Sequence, residues 1–94
     1  MSVRIDSPAN PRISAATRAV REGELLLLEG ARTLVDALEA DVVPTVVYAA
    51  PDLAPIDAAA ADRARRAGAE VVEVSPRVLA RLSDLGSTRA LVGT

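Results

Sequence analysis

The residues best suited to chemistry in this sequence are its arginines. All 11 basic residues of the 94-residue chain are Arg, and the chain has no His and no Cys. A guanidinium group holds a phosphate through two parallel hydrogen bonds and stacks on flat rings, whereas an ammonium group acts as a point charge. Without His, Lys or Cys, the composition excludes disulfides, thiol nucleophiles, the usual zinc sites, imidazole acid–base chemistry and a base that could activate a Ser.

The charges are distributed unevenly along the chain. The net charge is −2. Residues 1–21 hold four Arg and one Asp, residues 36–62 hold six acids and no base, and residues 63–94 hold six Arg and three acids. Such a layout allows a positive face on a weakly acidic protein. A general bias of the composition towards Arg and Ala explains the same counts without a function.

The stretch from Leu25 to Leu38 indicates the local structure around which the chain is organised. Leu25–Leu28 is an unbroken apolar run, which predicts a strand buried on both faces. The apolar residues after Gly30 have helical spacing, so the pattern predicts the first half of a βαβ unit. Glu29 and Gly30 form the corner, the turn between this strand and this helix. The acid is expected to be stabilised by the positive end of the helix, and Gly allows the tight turn.

Capping and turn residues mark the other elements. Asn10 followed by Pro11 predicts a helix start, and Gly23 predicts its end. Asp57 is expected to cap a helix that extends through Ala67, and Ser75 is expected to cap another. Further strands are predicted within Pro44–Pro51, at Glu70–Val74 and at Ala90–Thr94. The alternation predicts one α/β domain over residues 1–94, with a mixed four-stranded sheet sandwiched between helices.

Three ordered stretches give the chain a family resemblance, which covers almost its whole length. Ser7–Ile13, Arg21–Arg32 and Val74–Asp84 together resemble the N-terminal substrate-binding domain of the SpoU/TrmH-type RNA ribose 2′-O-methyltransferases. The resemblance implies the fold of a group of RNA-binding ribosomal proteins. In that fold the last strand runs antiparallel to its neighbours.

The resemblance also implies a function in RNA modification. Such a domain binds structured RNA, here rRNA or tRNA, and positions it for methylation by a following knotted domain. That second domain binds S-adenosylmethionine and is usually dimeric, and nothing in these 94 residues resembles it. We therefore expect this chain to be the N-terminal part of a longer, cytoplasmic methyltransferase. We expect the chain itself to have no cofactor, metal, catalytic residue or membrane segment. Any homodimer is expected to form through the missing domain.

Arginines are the candidate RNA contacts, since phosphate neutralisation supplies most of the affinity for RNA. Arg12 and Arg32 lie in motifs that match the family, while the alternative for every candidate is a solvated helix face. Tyr48 is the one aromatic residue, so it could stack on a base or fill a half-buried strand position. The candidate contacts are Arg12, Arg32, Arg81, Arg89, Arg18 and Arg77, together with Arg21.

Two other functions remain open from the sequence. The acidic stretch from Asp36 to Asp62 is compatible with a protein-interaction or dimerisation module that does not bind RNA by itself. A small α/β protein with a ligand pocket at the Glu29-Gly30 corner is the second alternative.

Overall fold

Strands and helices alternate along the chain in the computed structural model, which describes residues 3–24, 27–82 and 91–93. Within these residues there are five strands and four helices. In chain order they are β1 (Val3–Ile5), α1 (Pro11–Arg21), β2 (Leu28–Glu29), α2 (Ala31–Glu39), β3 (Val46–Ala49), α3 (Pro55–Arg66), β4 (Glu70–Val74), α4 (Pro76–Leu82) and β5 (Leu91–Gly93).

The strands form one mixed sheet with the order β1-β4-β3-β5-β2. Strands β1, β4 and β3 are parallel, and β5 is antiparallel to both β3 and β2. The last strand therefore has the antiparallel direction that the resemblance implied. The predicted number of four strands was wrong, because the extended segment before α1 pairs with β4, from Val3 opposite Val72 to Ile5 opposite Val74.

The strand predicted at Leu25–Leu28 is described only in part. Strand β2 covers Leu28–Glu29 at the edge of the sheet, and Leu25 and Leu26 lie outside the described residues. Both faces are nevertheless covered here, because Leu28 joins one hydrophobic cluster and Leu27 packs against the other. Strands β2 and β3 point the same way, but β5 lies between them, so the predicted βαβ unit is split by an inserted strand.

The helices cover the two faces of the sheet in pairs, as the predicted sandwich requires. On one face, the α1/α4 layer packs Ile13, Val78 and Leu79 against strand residues that include Val72 and Val74. On the other face, the α2/α3 layer packs Leu34 and the alanines of α3 against Leu28, Val47 and Ala49. Alternate residues of β3 and β4 point to opposite faces, so each strand contributes to both clusters.

Capping explains where α1 and α4 begin. The Asn10 side chain accepts a hydrogen bond from the Arg12 amide at 2.9 Å, and Pro11 occupies the first helical position, as predicted. Gly23, with φ of +78°, follows the end of α1. The Ser75 hydroxyl accepts from the Val78 amide at 3.3 Å and donates to the Asp6 carbonyl at 2.8 Å, which ties the start of α4 to the segment after β1.

The predicted start of α3 at Asp57 was wrong. The helix begins at Pro55, with Ala54 in the capping position and no side-chain cap. Pro55 has the dihedral angle that a first helical residue needs and no amide that requires a partner, so the helix starts three residues earlier than a cap at Asp57 would place it. Asp57 lies in the first turn instead. None of the helices in the described part of the chain is long and apolar enough to cross a membrane.

Candidate functional site

The structure groups four of the predicted arginines and separates a fifth from them. Arg12 and Arg18 lie on α1, Arg77 and Arg81 lie on α4, and all four are exposed. Arg32 is exposed on α2, which covers the opposite face of the sheet. Arg89 lies outside the described residues.

The two helix layers differ in charge. Helices α1 and α4 contain five Arg and no acidic residue, namely Arg12, Arg18, Arg21, Arg77 and Arg81. Helices α2 and α3 contain four Arg and four acids, namely Arg32, Arg63, Arg65, Arg66, Asp36, Glu39, Asp57 and Asp62. The acids nearest to α1 along the chain, Glu22 and Glu24, follow its end. The net positive charge of the helices therefore lies on the α1/α4 layer, although the whole chain is weakly acidic.

Arg12 is held by a carboxylate distant in sequence. Its two terminal nitrogens donate to the two oxygens of Glu70, at 2.8 Å and 3.3 Å. Glu70 begins β4 and points to the same face as Val72 and Val74, which is the face that α1 covers. The hydrogen bond with Glu70 raises the pKa of Arg12 above its ordinary value, and burial opposes the shift only partly. Arg12, like any arginine, is charged at physiological pH, so the pair with Glu70 is an ion pair.

The remaining candidate arginines make no ion pair within the part of the chain that the structure describes. These are Arg18, Arg32, Arg77 and Arg81. Their guanidinium groups are thus available to an external anion. Arg21 differs from them, because it takes part in a further contact.

Two pairs of opposite charges have i,i+4 spacing on the helix surfaces, Arg32–Asp36 and Asp62–Arg66, and neither forms a side-chain ion pair among the described residues. Arg32 and Asp36 are not paired among the described residues. The Asp62 carboxylate pairs with Arg65 at 2.6 Å, while Arg66 donates to the Asp62 backbone carbonyl at 3.4 Å. On α3, Asp62 therefore pairs with its i,i+3 partner instead of its i,i+4 partner.

Three arginines occupy the second position of a helix. Arg12, Arg32 and Arg77 follow the first residues of α1, α2 and α4, and none of these helices has an acid in its first turn. The helix dipole disfavours positive charge at this end, where Asp and Glu are preferred. Helix stability therefore does not explain these arginines. The sequence already shows an Arg at the second position of each helix, once the helix starts are assigned. The three stretches are Asn10-Pro11-Arg12, Gly30-Ala31-Arg32 and Ser75-Pro76-Arg77.

The corner before α2 has a conformation suited to Gly. Gly30 has φ of +89°, in the left-handed region that L side chains disfavour, and it gives α2 no side-chain cap. A cleft of about 230 Å³ lies beyond the corner, lined by Ala31, Arg32, Val35, Asp36 and Ile56. Neither Glu29 nor Gly30 lines this cleft.

Tyr48 and Glu73 are held inside the protein's own contacts. The Tyr48 side chain is only 3% exposed and belongs to the core of the α1/α4 face, so its ring is not available to stack on a base. Glu73 pairs with Arg4 at 3.1 Å, on the opposite face of β4 from Glu70. Among the described residues, no group of three or more acidic side chains is arranged to hold a metal ion.

Comparisons with known proteins identify the family and the fold of the chain. The model of the MRM3-like substrate binding domain matches residues 16–93. A solved RNA 2′-O ribose methyltransferase aligns with this chain at 30% sequence identity and a TM-score of 0.77. The alignment covers 97% of this chain and 36% of the methyltransferase chain. An rRNA methyltransferase from Sinorhizobium meliloti aligns with 96% of the chain and 35% of its own, at 21% identity and a TM-score of 0.75, and so shows the shared fold alone.

A second structure of the Sinorhizobium meliloti enzyme, with AdoMet bound, aligns with 96% of the chain and 34% of its own, at 21% identity and a TM-score of 0.75. The chain thus spans about a third of the length of these solved proteins. No curated protein sequence matches it. The family model and the shared fold confirm the resemblance to a SpoU/TrmH-type substrate-binding domain, and the chain belongs to the MRM3-like substrate binding domain family.

Proposed function

We propose that this chain binds structured RNA, either ribosomal or transfer RNA, and positions it for ribose 2′-O-methylation by another domain of the same protein. The observation that carries the proposal is the family match over residues 16–93. The solved RNA 2′-O ribose methyltransferase with 30% identity supports it, because nearly all of this chain aligns with about a third of that enzyme. Methyl transfer, S-adenosylmethionine binding and dimerisation are assigned to the domain outside this chain.

The exposed arginines give the proposal a physical basis. Structured RNA is recognised largely through its shape and its phosphate and ribose groups, so unpaired guanidinium groups suit it better than aromatic platforms do. Arg18, Arg32, Arg77 and Arg81 are exposed and unpaired among the described residues, and Arg12 and Arg89 complete the proposed contacts. The buried Tyr48 argues against binding of single strands by base stacking.

An amide NMR titration of the 94-residue chain with a structured rRNA hairpin tests the proposal. We expect shifts at the amides of α1 and α4 and at the first turn of α2. Binding should weaken with salt, with a log–log slope of about 0.7–0.9 for each phosphate contact. A DNA hairpin of the same sequence is the control, and it should bind more weakly because it lacks the 2′-hydroxyls and the A-form shape.

A titration without shifts at low salt would overturn the proposal. The protein-interaction or dimerisation module would then be the function to test, by sedimentation of the chain alone. Equal binding of the RNA and DNA hairpins would also contradict it, because the chain would then respond to polyanions in general.

A further inference from the structure

We propose that the phosphate backbone of the RNA lies across the outer side of the α1/α4 layer, and that α3 stays outside the contact. This inference deepens the proposed function and rests on it. The charges of the two layers supply the reason: one pair of helices carries five Arg without an acid, and the other carries four of each sign. A polyanion is attracted to the first pair more strongly than to the second, whose charges balance.

The packing of the layer leaves its charges facing outwards. Ile13 and Val78 are fully buried against the sheet, which fixes the inner sides of α1 and α4. Arg77 and Arg81 are four residues apart on α4, so they project from one side of the helix, a single turn apart. Arg18 is exposed on the adjacent helix. These three side chains form no ion pair among the described residues that would have to be broken when a phosphate binds.

Glu70 holds Arg12 in the free protein in the way that a phosphate would hold it in the complex. The carboxylate presents two oxygens to two guanidinium nitrogens, which is also the geometry of a bidentate phosphate contact. The side chains of Arg12 and Glu70 are 41% and 46% exposed, so the pair is accessible to a competing anion and is held only weakly. An arriving phosphate therefore replaces Glu70 as the partner of Arg12.

Fluorescence anisotropy of the 94-residue chain with a structured rRNA hairpin, at several salt concentrations, tests the placement. The variant Arg77→Gln/Arg81→Gln removes two charges from α4, and Arg63→Gln/Arg66→Gln removes two exposed charges from α3 as a matched control. We expect the α4 variant to lose about tenfold or more in affinity and about 1.4–1.8 in salt slope, since two phosphate contacts disappear. The α3 variant should stay within about twofold of the wild type.

A second pair of variants tests the replacement of Glu70 independently. Glu70→Gln frees Arg12 and should raise the affinity for RNA by about two- to fivefold. Asp36→Asn removes the same charge from the α2/α3 layer, where Asp36 has no partner among the described residues, and it should change the affinity less. Equal gains in affinity from both variants would show a general charge effect. Arg12 would then not belong to the proposed RNA-binding surface.

The outcomes separate this inference from the proposed function. RNA binding that is weakened equally by the α3 and α4 variants would overturn the placement and leave RNA recognition intact. No binding by the wild type would overturn both. Amide spectra that match the wild type outside the substituted helix would establish that each variant is folded. The placement is supported if the folded α4 variant binds RNA more weakly than the folded α3 variant.

Discussion

The two helix layers are built from different side chains on opposite faces of one sheet. In the α1/α4 layer the contacts are made by large aliphatic residues, including Ile13, Val78, Leu79 and Leu82. In the α2/α3 layer the central contacts are made by Ala60, Ala61 and Ala64, with Leu34 as the fully buried large residue. The first layer also has only positive charges, while the second is balanced.

The difference shows that the two helix layers of one small domain can be packed in different ways and can carry different charge. Alanines let two helices and a sheet approach closely, so the α2/α3 layer depends on a tight fit. Large aliphatics bury more apolar area for each residue, so seven residues of α4 suffice to cover their part of the sheet. Their outer positions are then free to carry arginine.

The largest expected effect tests the aliphatic core of the α1/α4 layer. Leu79 is 3% exposed, so Leu79→Ala removes buried methyl groups and leaves a cavity, with an expected loss of about 2–5 kcal/mol in the free energy of unfolding. Urea denaturation followed by circular dichroism measures it. Ile56→Ala is the control, since Ile56 is 72% exposed and should change stability by less than about 0.5 kcal/mol. Similar losses in both variants would contradict the assignment of the core.

The next effect tests the tight fit of the α2/α3 layer. Ala64 is fully buried, so Ala64→Leu inserts a larger side chain between α3 and the rest of its cluster, at an expected cost of about 1–3 kcal/mol in unfolding free energy. Ala59→Leu, at an exposed position of the same helix, should be nearly neutral. A neutral Ala64→Leu variant would show that this layer has spare space and that the contrast in packing is wrong.

Much of the local structure could be predicted because single residues determine it. Asn10 and Ser75 cap helices where their side chains were expected, and strand β4 has the predicted bounds. The errors arose where a neighbour in space decides the outcome. The predicted βαβ unit is split because β5 is inserted between β2 and β3, and the fifth strand exists because the segment before α1 pairs with β4. Pairings of this kind leave no local periodicity to detect.

The candidate site shows the same limit. The exposure of the arginines on α1 and α4 followed from helical periodicity, which placed their apolar neighbours inside. The hydrogen bonds between Arg12 and Glu70 span 58 residues of sequence, so no local pattern could indicate them. The separation of Arg32 from the α1/α4 layer likewise depends on which face of the sheet each helix covers, and the order of elements alone leaves that open.

A smaller effect on RNA binding is expected from single arginine substitutions, one in each layer. Arg77→Gln should lower the log–log salt slope by about 0.7–0.9, the value for one phosphate contact. Arg32→Gln should lower it less, because Arg32 lies in the layer of balanced charge, near Asp36 on the same helix. Both arginines are second residues of their helices, so neither substitution removes a favourable interaction with the helix dipole. A larger effect of Arg32→Gln would place the RNA at the start of α2 instead.

The smallest expected effect concerns the ion pair that connects α1 to the sheet. A double-mutant cycle with Arg12→Gln, Glu70→Gln and both changes should give a coupling energy of about 0.2–1 kcal/mol in unfolding free energy, because both side chains are about half exposed. The coupling should shrink in high salt, where exposed charges are screened. The pair Arg65–Asp62 on α3, of similar exposure, is the control and should show a coupling of the same size. A coupling above about 2 kcal/mol would mean that Glu70 holds α1 in place. Arg12 would then belong to the stability of the α1/α4 layer and could not be released to an RNA phosphate.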